Sequence, residues 1–185
     1  MMQKRLATML CGALVMAGGL SSCGSLLQVF AKTPQSTSPN NMPPLILSQN
    51  SPAASDVAAL EQSVYQQVNQ YRKSKKLPPL TLNSTITLQA RNHSQAMANG
   101  TVPFSHDGFD KRVKEIGKTI SYSSAAENVA YNQGYTNPDK QAVEGWIKSA
   151  GHQRNMVGNF DLTGIGVSKN AKGEYYFTQI FIKRR

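Results

Sequence analysis

Apolar residues recur every three or four positions in the first strongly patterned segment of the chain. They are Val57, Leu60, Val64, Val68 and Tyr71. This spacing places them on one face of an α-helix. Asp56 is a suitable N-cap, and Pro78 and Pro79 cannot continue a helix beyond Lys76. The pattern therefore predicts a first helix with one buried face.

A second helix is predicted from a cap residue and an exit residue. Asn83 can cap its start, and Gly100 can adopt the left-handed conformation that often follows a helix end. Between them, one face carries Ile86, Ala90, His93 and Met97. Because His93 shares this apolar face, we interpret it as a structural histidine of the core.

Two further helices are predicted beyond a loop over residues 101–108. The first is short, with Val113 and Ile116 turned inward. The second begins at Asn137-Pro138, because asparagine caps helices and proline suits the first helical position. Its buried stripe contains Ala142, Val143, Trp146 and Ile147. Residues 149–152 are interpreted as a break, and residues 121–130 give no clear period.

Two strands close the chain. Residues 162–168 and 174–183 are rich in β-branched and aromatic residues, and a Lys-Asn-Ala-Lys-Gly turn joins them. Helices followed by a hairpin favour an α+β domain in which helices pack on an antiparallel sheet.

The N-terminal segment predicts export. Lys4 and Arg5 precede an apolar run over residues 6–20, which is shorter than the roughly 20 residues of a spanning helix. The Leu-Ser-Ser-Cys that follows resembles a bacterial lipobox, in which the cysteine is lipidated and becomes the new N-terminus. We therefore expect a lipid on Cys23; an ordinary secretory signal cut nearby is the alternative.

The chain is predicted to have three parts. Residues 1–22 form the lipoprotein signal peptide, residues 23–55 form a disordered tether rich in Ser, Pro and Asn, and residues 56–185 form one domain. Cys11 is removed with the signal, so the mature chain keeps one thiol and closes no internal disulfide. The domain must be stable through packing alone.

The net charge indicates which partners suit the exported protein. The chain carries a formal charge of +10, and loss of Lys4 and Arg5 leaves +8. A basic surface favours anionic envelope polymers or lipid headgroups, although its effect could be solubility alone. No nucleic-acid-binding motif is present, so we expect a membrane contact through the anchor and no nucleic acid.

Four short segments combine polar, metal-competent side chains with glycine and aromatic residues. They are FSHDGF around His106, AENVA around Glu127, EGWIKSAGHQRNM with Glu144 and His152, and YYFTQIF near the C-terminus. In this order they resemble the bacterial branch of the CAP superfamily, which includes cysteine-rich secretory proteins, antigen 5 and pathogenesis-related proteins. The resemblance covers roughly residues 56–183.

The resemblance implies an α/β/α sandwich with a large central cleft. His106 matches the first cleft histidine of the family, and Glu127 matches the first cleft glutamate. The eukaryotic pattern has a second glutamate and a second histidine where this chain has Ser149 and Phe177. We expect His152, and Glu144 of the same segment, to occupy the cleft instead.

Imidazoles and a carboxylate in one cleft permit two kinds of chemistry. They can bind zinc or a similar divalent ion, with His106 and His152 as ligands, or a histidine can act as a general base. A purely structural hydrogen-bond network, with Glu127 paired to a histidine or to Arg154, is a third interpretation. The leading function is binding of a ligand or partner; metal-dependent hydrolysis, as proposed for some relatives, and binding of sterol-like or fatty lipids are the alternatives.

Overall fold

The computed structural model describes residues 52–185, with side chains from Asp56 onward. The predicted signal peptide, Cys23 and most of the predicted tether lie outside these residues. The elements in chain order are α1 Pro52–Ser74, β1 Thr81–Leu82, α2 Ser84–Ala98, α3 Phe109–Gly117, β2 Tyr122–Gln133, α4 Pro138–Lys148, α5 Ala150–Val157, β3 Leu162–Lys169 and β4 Glu174–Arg184.

The strands form one mixed sheet in the order β1-β3-β4-β2. The β3/β4 pair is the predicted antiparallel hairpin. Strand β2 also pairs antiparallel with β4, whereas the short β1 runs parallel to β3, so the predicted antiparallel sheet is in fact mixed. A strand of only two residues carries no alternating pattern, so the sequence did not indicate β1. Strand β2, over the segment without a clear period, forms one edge of the sheet.

Helices cover both faces of this sheet. Phe177 and Phe181 of β4 pack with α1, α4 and α5, and Trp146 lies in the same core. Ile180 and Ile182 project to the opposite face, where they pack with α2 and α3. Because successive strand residues face opposite sides, one strand supplies two cores. The predicted sandwich of helices around a central sheet is confirmed.

Helix α2 lies unusually close to β3. Gly164 and Gly166 face it, and a Cβ atom placed on either glycine would collide with helix backbone, at Ile86 and Thr87 for Gly164 and at Ala90 for Gly166. Glycines in a strand interior often mark such a close approach. This contact fixes α2, and with it His93, against the sheet.

Two helix boundaries differ from the sequence prediction. Helix α1 begins at Pro52, before the predicted start at Asp56, because proline is tolerated in a first helical turn. The predicted break over residues 149–152 is confined to Ser149, whose extended backbone separates α4 from α5. Within the part of the chain that the structure describes, no helix is both long and apolar enough to cross a bilayer.

Candidate functional site

Glu127 forms the centre of a buried charged network. Its side chain on β2 is only 1% exposed. Arg112 of α3 donates two hydrogen bonds to it, from Nε to Oε2 at 2.8 Å and from Nη2 to Oε1 at 2.7 Å. This two-point arrangement is the strong, directional form of an arginine–carboxylate pair. It offsets the cost of burying the carboxylate charge.

The same carboxylate orients His106, which lies in the loop between α2 and α3. His106 Nδ1 is 3.0 Å from Glu127 Oε1. An ionised carboxylate only accepts hydrogen bonds, so Nδ1 carries the proton and Nε2 is the basic nitrogen. The side chain is 50% exposed, and Nε2 has no hydrogen-bond partner among the described residues. His106 thus presents an oriented Nε2 at the surface.

His152, on α5, lies beside His106, with 6.1 Å between the two ring centroids. Burial lowers the pKa of His152, and the neighbouring His106 lowers it further. Helix α5 is tied to β2 next to the site: Asn155 Nδ2 donates to the main-chain oxygen of Glu127 at 3.1 Å, and Asn128 Nδ2 donates to that of His152 at 3.2 Å. The pair of histidines is therefore held from two elements.

His93 supports the site through contacts with Ser105 and Arg112. Its Nε2 lies 2.9 Å from the main-chain oxygen of Ser105, and Arg112 Nη1 lies 3.2 Å from its Nδ1. A carbonyl can only accept and a guanidinium can only donate, so Nε2 carries the proton and Nδ1 accepts. His93 is 5% exposed. It is the buried core histidine that the sequence predicted, and it also fixes the loop that carries His106.

The stability of the domain is expected to fall as the pH drops below about 6.5. Burial lowers the pKa of His93, and the charge of Arg112 adds to this effect against the hydrogen bond to Ser105. Below that pH, His93 takes up a proton in the unfolded chain but not in the folded chain, where its pKa is lower. The loss of stability ends once the pH is below the folded-state pKa. The free energy of unfolding can lose up to about 1.4 kcal/mol per pH unit in this window. Denaturant unfolding at several pH values would measure the slope, which His93→Gln should reduce; parallel pH profiles would contradict the assignment.

Among the described residues, Glu144 forms no hydrogen bond or ion pair with His106, Glu127 or His152. Its carboxylate is 3.9 Å from Lys140 Nζ on the same helix, and its side chain is 44% exposed. It precedes the buried Trp146 by two positions, which is about 200° around an α-helix. That offset in the sequence already indicates a different face. A role for Glu144 in the cleft stays a prediction.

Arg112 is the site residue that sequence reasoning missed. The sequence suggested a histidine or Arg154 as partners of Glu127, whereas the structure pairs Glu127 with His106 and Arg112, and Arg154 is exposed. Arg112 stands in a charged segment, Asp-Lys-Arg-Val-Lys-Glu, that looks solvent-facing. The only available signal was its position next to Val113, at the start of the buried face of α3.

The histidine pair also sets which metal could be held. Within residues 56–185, no group of three or more histidine, cysteine, aspartate or glutamate side chains is spaced to hold an ion. Both oxygens of Glu127 are engaged by Arg112, so the available donors are the imidazoles of His106 and His152. Two imidazoles, one of them oriented through Nδ1 by a carboxylate, fit a weak site with open positions for a borderline ion.

A helix–sheet–helix sandwich that brings His106, Glu127 and His152 together defines a CAP-type domain. The chain belongs to the cysteine-rich secretory protein family (CAP), whose model matches residues 65–181. This confirms the family that the sequence motifs indicated.

Relatives come from several bacteria. The chain is 35% identical over 136 residues to YkwD of Bacillus subtilis, covering 70% of this chain and 49% of YkwD. It therefore spans about half the length of that relative. An extracellular protein containing a SCP domain from Bacillus anthracis superposes with a TM-score of 0.55 at 28% identity, covering 69% of this chain and 41% of that one.

The fold also recurs at lower sequence identity. An outer surface protein of Borrelia burgdorferi gives a TM-score of 0.60 at 19% identity, covering 70% of this chain and 96% of that one. At this identity the likeness shows the fold alone.

Proposed function

We propose that this chain is a lipid-anchored, extracytoplasmic protein that binds a ligand at the His106/His152 pair. The observation that carries the proposal is the orientation of His106. Glu127, itself held by Arg112, bonds to Nδ1 of His106, and Nε2 has no partner within the described part of the chain, on a half-exposed ring next to His152. A fold stabilised by packing alone needs no such free nitrogen, whereas a binding site does.

The location follows from two kinds of support. The family is secretory, and the Bacillus anthracis neighbour is an extracellular protein. The anchor itself is proposed from the lipobox-like sequence that ends at Cys23, which lies outside the described residues. A lipid-bearing cysteine would keep the basic domain next to the anionic polymers and lipids of the envelope.

A divalent ion such as zinc is proposed to bind weakly between the two histidines. When bound, the ion would act as a Lewis acid toward a ligand oxygen. The residues of the chain would supply orientation: Glu127 fixes the tautomer of His106, and Asn155 and Asn128 hold α5, which carries His152.

Zinc titration followed by calorimetry tests the proposal. We expect weak binding near pH 7.5 and weaker binding near pH 5.5, because protons compete with the metal for imidazole nitrogen. His106→Ala and His152→Ala should each lower the affinity at least about tenfold, the loss of one of two protein ligands.

Glu144→Ala is the matched control, because it removes a half-exposed carboxylate that is paired with Lys140 and bonded to neither histidine. It should leave the affinity for zinc unchanged. No binding by the wild-type protein, or equal binding by the wild type and the His106 variant, would remove the histidine pair as a site. A loss in the Glu144 variant would instead restore that residue as a ligand.

Hydrolysis is a second candidate, and the Glu127–His106 pair favours it. A carboxylate that holds one imidazole nitrogen leaves the other positioned to accept a proton from water. Cleavage of a peptide by the wild-type protein but not by His106→Gln would establish this function. Lipid binding has no comparable observation in its favour and stays a prediction from the family resemblance.

A further inference from the structure

We infer that the outer edge of β2 binds an extended peptide as an added strand, in a groove that leads to His152. This inference rests on the proposed function, because it names the class of ligand that would reach the histidine pair. The groups that would bind the peptide are main-chain N–H and C=O groups of β2, which are separate from the imidazoles.

Hydrogen bonds around β3 show which main-chain groups face which neighbour. Asn83 N donates to the main-chain oxygen of Thr163, and Val167 N donates to Glu61 Oε1. The main-chain N–H and C=O groups of the odd-numbered residues of β3 therefore point away from β4. Its even-numbered residues therefore pair with the even-numbered residues of β4, such as Gly166 with Thr178. Main-chain groups alternate between the two sides of an antiparallel strand.

The same alternation carries across the central strand β4 to β2. Because the even-numbered residues of β4 bond to β3, the main-chain groups of its odd-numbered residues bond to β2. Phe177 is opposite Ala130, and Gln179 is opposite Asn128. The even-numbered residues of β2 thus complete the ladder. The main-chain N–H and C=O groups of Glu127, Val129, Tyr131 and Gln133 point outward, at the edge of the sheet.

Side chains cover the first part of this edge but not the second. The oxygen of Glu127 accepts from Asn155 Nδ2 at 3.1 Å, and that of Val129 accepts from Trp146 Nε1 at 2.9 Å. Both bonds confirm the outward direction independently. Among the described residues, no group bonds to the outward N–H and C=O of Tyr131 and Gln133. Proteins normally cover or blunt such an edge, since it is a template for another strand.

A groove runs beside these unpaired groups, between β2 and α4. We call it the edge groove; it has a volume of about 600 Å³, and its lining includes Tyr131, Gln133, Tyr135, Gly145, Ser149 and His152. The space beside Gly145 of α4 is open, since a Cβ atom there would have no neighbour within 4 Å. His152 in the lining places the histidine pair beside the groove.

The chemistry of the edge selects an extended peptide as the occupant. Tyr131 and Gln133 each offer one donor and one acceptor, and residues two apart on a strand are separated by about 6.8 Å. A peptide strand repeats its own donors and acceptors at this same distance, which is the basis of recognition by strand addition. Lipid chains have no groups to bond to the edge.

Peptide selection against the full chain tests the inference. A randomised octapeptide library displayed on phage is the probe, and the strongest binder is then synthesised with single N-methyl groups at each position. We expect N-methylation at alternate positions to weaken binding by roughly three- to tenfold, the effect of one lost hydrogen bond, and the positions between them to tolerate it. Absence of any selected peptide, or a scan without alternation, would overturn the inference.

Gln133→Pro, compared with Gln133→Ala, tests the location on β2. Both variants lose the side-chain bond to the oxygen of Lys172, but only proline removes the outward N–H. Proline is tolerated on an edge strand when that N–H faces away from the ladder, and a thermal melt of each variant checks the fold. The proline variant should bind the selected peptide roughly three- to tenfold more weakly than the alanine variant.

Equal affinities in two folded variants would overturn the inference. If the proline variant does not fold, protection decides: the peptide should slow hydrogen exchange at the amides of Tyr131 and Gln133, and unchanged exchange there would overturn it. The proposed function fails separately. If the wild-type protein binds the peptide along β2 but binds no zinc, the histidine site is wrong and the peptide site stands. If it binds zinc but no peptide along β2, only the peptide site is wrong.

Discussion

Gly166→Ala is expected to destabilise the domain by more than about 4 kcal/mol, a large part of the roughly 5–15 kcal/mol by which an ordinary domain is stable. The added Cβ atom would collide with the backbone of Ala90 and Arg91, which cannot move aside as a flexible side chain can. Helix α2 would have to lift from β3, which would disrupt the core formed by Ile86, Ala90 and Ile180. Denaturant unfolding followed by circular dichroism measures the loss.

Gly145→Ala is the matched control for this substitution. Gly145 lies in α4, and a Cβ atom there would have no neighbour within 4 Å. Alanine in a helix interior is favoured over glycine by roughly 0.8–1.0 kcal/mol, so this variant should be slightly more stable than the wild type. Similar stability of the Gly145 and Gly166 variants would show that α2 does not lie against β3 as described.

Arg112→Gln is expected to destabilise the domain by about 3–5 kcal/mol, the usual cost of removing one partner of a buried ion pair. Glu127 would remain 1% exposed and would lose both hydrogen bonds from the guanidinium. His93 and the main-chain oxygen of Asp107 would also lose a donor. The free energy of unfolding at neutral pH is the quantity to compare.

Two variants make this test specific. Lys118→Gln removes an ion pair with Glu115 in which both side chains are about half exposed or more, and such surface pairs contribute at most about 1 kcal/mol. The double variant Arg112→Gln/Glu127→Gln should recover much of the loss, because it leaves no lone buried charge. A loss no larger than that of Lys118→Gln would show that Glu127 is not buried with Arg112.

The sequence by itself determined the regular elements with a strong period. Apolar spacing at Val64 and Val68 predicted α1, and the start signal at Asn137-Pro138 placed α4 with Trp146 in the core, where it is 1% exposed. The closing hairpin was also predicted. These are local features, since a buried helix face or strand face imprints its repeat on neighbouring residues. The motifs around His106, Glu127 and His152 indicated the family, which the family match confirms.

Only the tertiary structure decided which distant side chains meet. Arg112 sits in a segment with the appearance of a charged surface helix, and it is buried because α3 packs against β2, where Glu127 needs a counter-charge. The open edge at Tyr131 and Gln133 depends on the strand order, which no single segment encodes. Local period specifies how each element is buried, but ion pairs and sheet edges are set by long-range packing between elements, and that packing leaves no repeat in the sequence.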